Sequence, residues 1–217
     1  LRCGIEGDWL CQFCESLCPP VPIQRCIFCQ SIAPRGETCM TCRRRHDLDG
    51  LIVRGIYGNW VWRDLIRTWK YKGAQELSAK CARYLEGCLN SLPLDKTITI
   101  VIPIPLARLR ERERGFNQAA VLAESVGEHL SLPIVFAMKR IRETAPQSKL
   151  VPDERLKNVK DCFKFVDSYE IKDKNCLIID DIITTGATMD AAAKELKQAG
   201  ALNVWGLALV RSEANIY

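Results

Sequence analysis

An acidic pair followed by a threonine- and glycine-rich loop is the stretch of this chain best suited to bind a ligand. The apolar residues 176–179 lead into Asp180 and Asp181, and residues 184–188 read Thr-Thr-Gly-Ala-Thr. Carboxylates accept hydrogen bonds from hydroxyl groups, whereas consecutive backbone N–H groups at a helix start form a cradle for an anion. Together the two halves suit a sugar phosphate such as ribose 5-phosphate. The alternative is a capped helix after a buried strand, with both aspartates merely solvated.

A second candidate for ligand binding is an arginine-rich segment that follows an apolar strand. The strand is expected at residues 98–102 and to stop at Pro103 and Pro105, because proline cannot continue a central strand. The segment then carries Arg108, Arg110, Arg112 and Arg114. Guanidinium groups suit diphosphate oxygens, so the pattern favours a ligand loop hinged at Gly115. Because glutamates alternate with the arginines, a solvated helix face is the alternative.

The cysteines indicate a metal site near the N-terminus. Of the 12 cysteines, eight lie in the first 42 residues, and two C-x-x-C pairs are formed by Cys26, Cys29, Cys39 and Cys42. Each pair can present two thiolates from one turn, and two such turns complete a tetrahedral zinc site. Because the segment lacks a core of its own, the metal would supply folding free energy. Four thiolates leave no open coordination position, so such an ion is structural.

A second metal site is suggested by Cys11 and Cys14 together with Cys3. A cysteine directly before Leu1 would turn Cys3 into another C-x-x-C pair, and Cys18 is the alternative fourth ligand. The other possibility is a remnant that has lost its metal, with these thiols packed or exposed. The residues leave both possibilities open.

Composition excludes several classes of protein. The chain has 217 residues, of which 47% are hydrophobic and 26% charged, as is ordinary for a soluble globular protein and not for a disordered one. No apolar run approaches the ~20 residues of a membrane span, and no signal peptide is apparent. The dense cysteines without an export signal favour metal ligation in a reducing cytoplasm. A net charge of +5 is too small to identify a nucleic-acid-binding protein by itself.

The elements that position these residues follow an α/β pattern. Amphipathic stripes predict helices around residues 62–69 and 77–88, which place Trp62, Trp69, Cys81 and Cys88 in the core. Further helices are expected at about 117–130 and 187–199, and further strands at 176–179 and 203–210. This alternation predicts a parallel sheet flanked by helices. We expect two domains: a small Cys-rich zinc-binding module at 1–50 and an α/β domain at 51–217.

The acidic pair and its loop resemble the phosphoribosyl-diphosphate (PRPP) motif of type I phosphoribosyltransferases. The resemblance implies that Asp180 and Asp181 hold the ribose hydroxyls and are the catalytic residues. It also implies a PRPP-binding set of Thr184, Thr185, Gly186, Ala187 and Thr188, to which the arginine segment adds Arg108, Arg112 and Arg114. Members of this family use Mg²⁺ on the diphosphate, which suits a hard ion held mainly by oxygen atoms.

Across the whole chain the motifs are similar to those of the ComF family, competence-associated proteins with a phosphoribosyltransferase-like domain. The matching motifs are the cysteine pairs, Lys70-Tyr-Lys72-Gly73, P-x-P followed by R-G-F-N-Q, and D-D-x-x-T-T-G-A-T. Segment 147–159 corresponds to a flap over the substrate in related transferases. The resemblance implies a role in DNA uptake during natural transformation, in contact with the uptake machinery. Two hypotheses stay open: a transferase with an unidentified acceptor, or a non-catalytic PRPP sensor that binds single-stranded DNA.

Basic residues near aromatic ones could bind single-stranded DNA, which combines charge with stacking. The candidates are Arg43, Arg44, Arg45, Lys70 and Lys72, with Arg67 nearby. Because the tryptophans are expected in the core, Tyr71 is the aromatic residue left to stack on a base.

Overall fold

The computed structural model of the protein describes residues 9–71, 76–92, 98–142, 161–166 and 169–212. The helices are α1 (Gln12–Ser16), α2 (Met40–Arg43), α3 (Trp60–Tyr71), α4 (Leu77–Glu86), α5 (Arg108–Arg114), α6 (Gln118–Leu130) and α7 (Ala187–Gln198), with a 3₁₀ turn at Leu89–Ser91. The strands are β1 (Gly50–Ile56), β2 (Ile100–Pro103), β3 (Met138–Arg140), β4 (Phe163–Phe165), β5 (Asn175–Ile183) and β6 (Asn203–Arg211).

A parallel sheet forms the centre of the fold. Its described strands lie in the order β1-β6-β5-β2, and each neighbouring pair is parallel. β3 and β4 form a separate antiparallel pair. Parallel strands of one sheet need crossover connections, which here carry helices. The expected fold class, a parallel α/β sheet flanked by helices, is confirmed.

The central strands are buried on both faces, and their side chains alternate between two core layers. Leu177 and Ile179 of β5 pack in one layer with the apolar sides of α3, α4 and α6. Cys176 and Ile178 pack in the opposite layer with α7. This is the expected arrangement for a strand whose successive side chains point to opposite faces.

The structure confirms the two helices that the amphipathic stripes predicted, α3 and α4. Trp62, Trp69 and Cys81 are fully buried, and Cys88 is 7% exposed. Burial raises the pKa of Cys88 to about 11, so this thiol stays protonated at neutral pH. These cysteines are therefore core residues, as expected.

The N-terminal segment contributes to both core layers. Cys11, Cys14 and Cys18 join the layer of α3 and α4, whereas Ile27 and Leu48 join the layer of α7. A segment too poor in apolar residues to form its own core is thus packed against the α/β sheet. The domain boundary at residue 50 stays a prediction. In the described ranges, no helix is both long and apolar enough to cross a membrane.

The expected end of β2 is confirmed. The strand ends at Pro103, which is itself still paired with Ile179 of β5. Because proline has no N–H to donate to a ladder, the strand does not continue beyond it.

The arginine segment was predicted as a loop, and this prediction was wrong: it forms α5. Glutamates three residues from arginines form favourable helical pairs, and arginines in the last turn suit the negative end of the helix. The helix ends at Gly115, whose φ of 82° is left-handed. The described side chains of α5 include no buried one, so the solvated helix face, the alternative interpretation, describes its local structure.

Candidate functional site

The acidic pair lies within β5 and not after it. β5 continues to Ile183, and Asp180 is still in register with Ala208 of β6. The expectation that the strand would end just before the aspartates was therefore wrong. The sheet extends because apolar residues follow the pair and continue the pairing with β6. As a result, both carboxylates are held by a paired backbone close to the carboxyl edge of the sheet, where open α/β sheets bind ligands.

Lys70 is the main partner of the acidic pair. Its Nζ lies 2.5 Å from Oδ2 of Asp181, and both side chains are about nine-tenths buried. The sequence placed Lys70 among the DNA-contacting residues, but the structure moves it from the surface into the candidate site. The K-Y-K-G motif could have pointed to this role, because a lysine at the end of a buried helical stripe can reach the sheet edge.

Asp180 lies beside this ion pair in an unfavourable environment for charge. Burial and the neighbouring Asp181 carboxylate raise the pKa of Asp180 to about 7 from an ordinary value of 3.8, and Lys70 only partly offsets this effect. The backbone N–H of Asp181 donates to Oδ1 of Asp180 at 2.8 Å. The acidic pair therefore contains two different groups. The carboxylate of Asp181 is neutralised by Lys70, whereas the carboxyl group of Asp180 ionises near neutral pH.

This environment predicts a pH-dependent cost of Asp180. Because the pKa of Asp180 is raised in the folded protein, its contribution to stability is fully present below the unfolded pKa of 3.8. This contribution is lost as the pH rises through the folded pKa of about 7, where the buried carboxyl group ionises. We expect Asp180→Asn to stabilise the ligand-free protein by about 1–2 kcal/mol at about pH 8.5, after allowance for solvent screening, and hardly at all at about pH 4. Melting temperatures of Asp180→Asn and the exposed control Glu124→Gln at both pH values test this. A gain that is equal at the two values would contradict it.

The threonine- and glycine-rich loop connects β5 to α7. Gly186 has a φ of 83°, a left-handed conformation that favours glycine, and it precedes the first residue of α7. Oγ1 of Thr185 accepts a hydrogen bond from the backbone N–H of Ala187 at 3.4 Å. The loop therefore presents the start of a helix at the carboxyl edge of the sheet, as an anion cradle requires.

Gly186 packs closely against the N-terminal segment. An added Cβ at this position would lie 2.8 Å from Cγ1 of Ile27, in the segment between the first two zinc-candidate cysteines. The free space beside Gly186 is filled by the N-terminal segment.

Arg114 of α5 contacts Tyr71 at the end of α3. Its Nη1 donates to Oε1 of Gln118 at 3.1 Å, and its Nη2 lies 3.4 Å from the hydroxyl of Tyr71, the neighbour of Lys70. Its guanidinium also lies 5.4 Å from the centre of the Tyr71 ring. Arg108 and Arg112 are exposed on the same helix, and no described contact joins them to the acidic pair.

The four expected zinc ligands come together. The Sγ atoms of Cys26, Cys29, Cys39 and Cys42 all lie within 4.8 Å of one another, and those of Cys29 and Cys39 are 3.5 Å apart. A tetrahedral ion with Zn–S bonds of about 2.3 Å separates its sulfur atoms by about 3.8 Å, so this cluster can hold a metal ion. Hydrogen bonds from Ser31 lower the pKa of Cys29 to about 6, which favours a thiolate.

The second predicted metal site stays a prediction, because Cys3 lies outside the described residues. Its other candidate ligands, Cys11, Cys14 and Cys18, are all buried. Lys72 and the expected flap at 147–159 also lie outside the described residues.

The remaining candidate DNA contacts are on the surface. Arg43, Arg44 and Arg45 are exposed at the end of α2, directly after Cys42. Tyr71 is 71% exposed, as expected for a side chain that could stack on a base. The structure thus leaves a basic surface next to the cysteine cluster but separates Lys70 from it.

Comparisons with known proteins agree with this arrangement. The family model described as "Phosphoribosyl transferase domain" matches residues 70–214. Competence protein F of Haemophilus influenzae is 27% identical over 213 residues, which cover 94% of this chain and 92% of the relative. Competence protein ComFC of Bacillus subtilis is 29% identical and covers 94% of this chain and 84% of the relative. ComFC of Streptococcus pneumoniae is 31% identical, with 95% and 89% covered.

Proposed function

The chain belongs to the ComF family of competence proteins with a phosphoribosyl transferase domain, and from this premise we propose that it binds PRPP and acts in DNA uptake. The observation that carries the proposal is the placement of Asp180 and Asp181 at the sheet edge, directly before an anion cradle at the start of α7. The two carboxylates would repel a phosphate on its own. The ligand therefore has to carry hydroxyl groups next to its phosphate, which the carboxylates can accept hydrogen bonds from. A phosphorylated ribose satisfies both halves of the site.

Each part of PRPP has a matching group in the proposed complex. The ribose hydroxyls donate to the Asp180 and Asp181 carboxylates, and the 5-phosphate accepts from the N–H groups of residues 184–188. Arg114 faces the diphosphate, with Arg108 and Arg112 exposed on the same helix. Mg²⁺, held mainly by PRPP oxygens, would supply positive charge against the leaving diphosphate.

The proposed chemistry is transfer of the phosphoribosyl group. The bond between the anomeric carbon and the diphosphate oxygen breaks with its electron pair going to diphosphate, and a nitrogen nucleophile forms the new bond to carbon. The site favours this step by holding the ribose between two carboxylates and by placing arginine near the developing negative charge. Asp180 and Asp181 are catalytic residues in this proposal, because they contact the reacting sugar.

A second candidate function is a PRPP sensor that binds single-stranded DNA without transferring a group. The exposed Arg43, Arg44 and Arg45 beside the cysteine cluster favour it, since clustered arginines bind phosphates. In both versions we propose zinc at the four clustered cysteines and a location in the cytoplasm, where reducing conditions keep thiolates available.

Calorimetry with PRPP and Mg²⁺ tests the proposed function. We expect binding by the parent protein, and we expect ribose 5-phosphate to bind more weakly because it lacks the diphosphate. A diphosphate-release assay with a panel of nucleobases then separates the two candidates. Release supports a transferase, whereas PRPP binding without release with any base supports the sensor. No PRPP binding would overturn both.

The basic surface is tested by the salt dependence of single-stranded DNA binding. Arg43, Arg44 and Arg45 changed together to Ala should lower the affinity and reduce the slope of log K against log salt by about 2, at ~0.7 per lost phosphate contact. The matched control replaces three exposed lysines elsewhere, Lys172, Lys174 and Lys194. An equal change of slope in both variants would leave the arginines as ordinary surface charges.

A further inference from the structure

The loop 184–188 of the candidate site is covered by the N-terminal segment that carries the four clustered cysteines. Ile27 lies between the ligand candidates Cys26 and Cys29 and is 3% exposed. Its Cγ1 is 2.8 Å from the position that a Cβ of Gly186 would take, and Cε1 of Phe28 is 3.5 Å from it. The backbone of Gly186 therefore fits closely against this segment, and only glycine leaves room for it.

A second contact joins the same segment to the first turn of α7. Oδ1 of Asp190 accepts hydrogen bonds from the backbone N–H groups of Asp47 at 2.8 Å and Leu48 at 3.1 Å. Its Oδ2 lies 2.7 Å from Nδ1 of His46. Since the backbone N–H of Asp190 donates to the carbonyl of Gly186 at 2.9 Å, this contact acts on the helical turn that begins at the loop.

The two contacts are parts of one unit. The ring of His46 stacks on the ring of Phe28, with centroids 3.5 Å apart and planes within 6°. Residues of the first C-x-x-C turn and residues that follow the second thus meet over the start of α7. A metal ion would fix the backbone at Cys26, Cys29 and Cys42, and with it the positions of Ile27 and Phe28.

We propose that Ile27 and Asp190 are positioning residues that hold the loop 184–188 in its phosphate-binding conformation, so that metal binding at the four cysteines strengthens PRPP binding. This inference rests on the proposed function. Without the metal, the segment loses its fixed turn, and Ile27 no longer packs against Gly186. The loop then has to be ordered when PRPP binds, which lowers affinity. Linkage requires the reverse effect of equal size: PRPP strengthens metal binding.

The first experiment compares PRPP affinity, zinc content and melting temperature among variants. Ile27→Ala and Asp190→Ala should retain zinc and weaken PRPP binding about tenfold, within the usual range of coupling between two sites. The matched controls are Ile32→Ala, an exposed isoleucine of the same module, and Glu195→Ala, an acidic residue later on α7. Both controls should bind PRPP as the parent does.

The variants also separate this inference from the proposed function. If the parent binds PRPP and Asp190→Ala binds equally well, the positioning role is wrong and the proposed function stands. If the parent does not bind PRPP, both are wrong. Should Ile27→Ala lose zinc, Asp190→Ala carries the test, because Asp190 lies outside the cysteine segment.

The second experiment measures zinc retention by the full chain against a colorimetric chelator. With saturating PRPP, the apparent zinc affinity should rise by the factor that zinc adds to PRPP affinity, about tenfold. In Asp190→Ala this increase should be lost, although the four cysteines are unchanged. Equal zinc affinity with and without PRPP, in a protein that binds PRPP, would overturn the inference.

Discussion

Replacing Asp180 by Asn should weaken PRPP binding at least tenfold and leave the fold intact. Near pH 8 the carboxylate is mostly ionised, because its pKa is about 7, and it can accept charge-assisted hydrogen bonds from a ribose hydroxyl. Each such bond contributes about 1.5–3 kcal/mol, and about 1.4 kcal/mol corresponds to a factor of ten in affinity. Calorimetry with PRPP and Mg²⁺ at about pH 8 measures the loss.

The equivalent change at Asp181 should have a different effect on the stability of the ligand-free protein. Asp181→Asn leaves the buried Lys70 ammonium without its carboxylate, and breaking a buried pair by removing one partner costs about 3–5 kcal/mol. Because of this ion pair, we expect Asp180→Asn to raise the melting temperature and Asp181→Asn to lower it.

The control for Asp181→Asn also replaces Lys70, the ion-pair partner of Asp181. Asp181→Asn combined with Lys70→Met removes both charges and should recover most of the lost stability but not the PRPP affinity. If Asp180→Asn binds PRPP as tightly as the parent, the ribose assignment is wrong, and the loop is a phosphate cradle for another ligand.

Replacing Cys39 by Ser should release the metal and unfold the N-terminal segment locally. Protein purified without added metal should contain one zinc ion per chain for the observed cluster, and two if Cys3 completes another site. Structural zinc contributes roughly 10–16 kcal/mol in isolated zinc-finger peptides, so loss of one thiolate should expose residues 9–49 to protease. Elemental analysis and limited proteolysis measure both effects, and Cys26→Ser should behave in the same way.

Thr41→Ala is the matched control, because Thr41 lies between Cys39 and Cys42, is exposed and is no expected ligand. It should retain zinc and the protease pattern of the parent. A Cys39→Ser protein that lost its zinc but kept that pattern would show that packing against the sheet alone holds the segment.

The sequence alone was sufficient to predict the elements that depend on interactions between residues close together in the chain. The stripe of Trp62 and Trp69 predicts a buried helical face, because side chains three and four residues apart share one side of a helix. The two C-x-x-C pairs predict the cysteine cluster for a similar reason, since each pair forms one turn. Alternating strands and helices predict the sheet, and the four-cysteine cluster and the sheet were both found.

The sequence pattern of a single segment allowed two interpretations of the arginine-rich stretch. It could be a loop or a helix, and pairing with glutamates together with the left-handed Gly115 gave the helix. The end of β2 at Pro103 was predicted from the proline itself, whereas the pairing of Pro103 with Ile179 depends on a strand that is distant in the chain.

Only the tertiary structure decided which distant residues complete the site. Lys70 is more than a hundred positions from Asp181, and its place at the end of a buried stripe points to the sheet edge but does not identify the carboxylate that it meets. Ile27 and Asp190 reach the loop through packing between the cysteine segment and α7. Sequence determines periodicity and spacing along the chain because those interactions are local, whereas the pairing of buried charges and the close contact at Gly186 arise only when the chain packs.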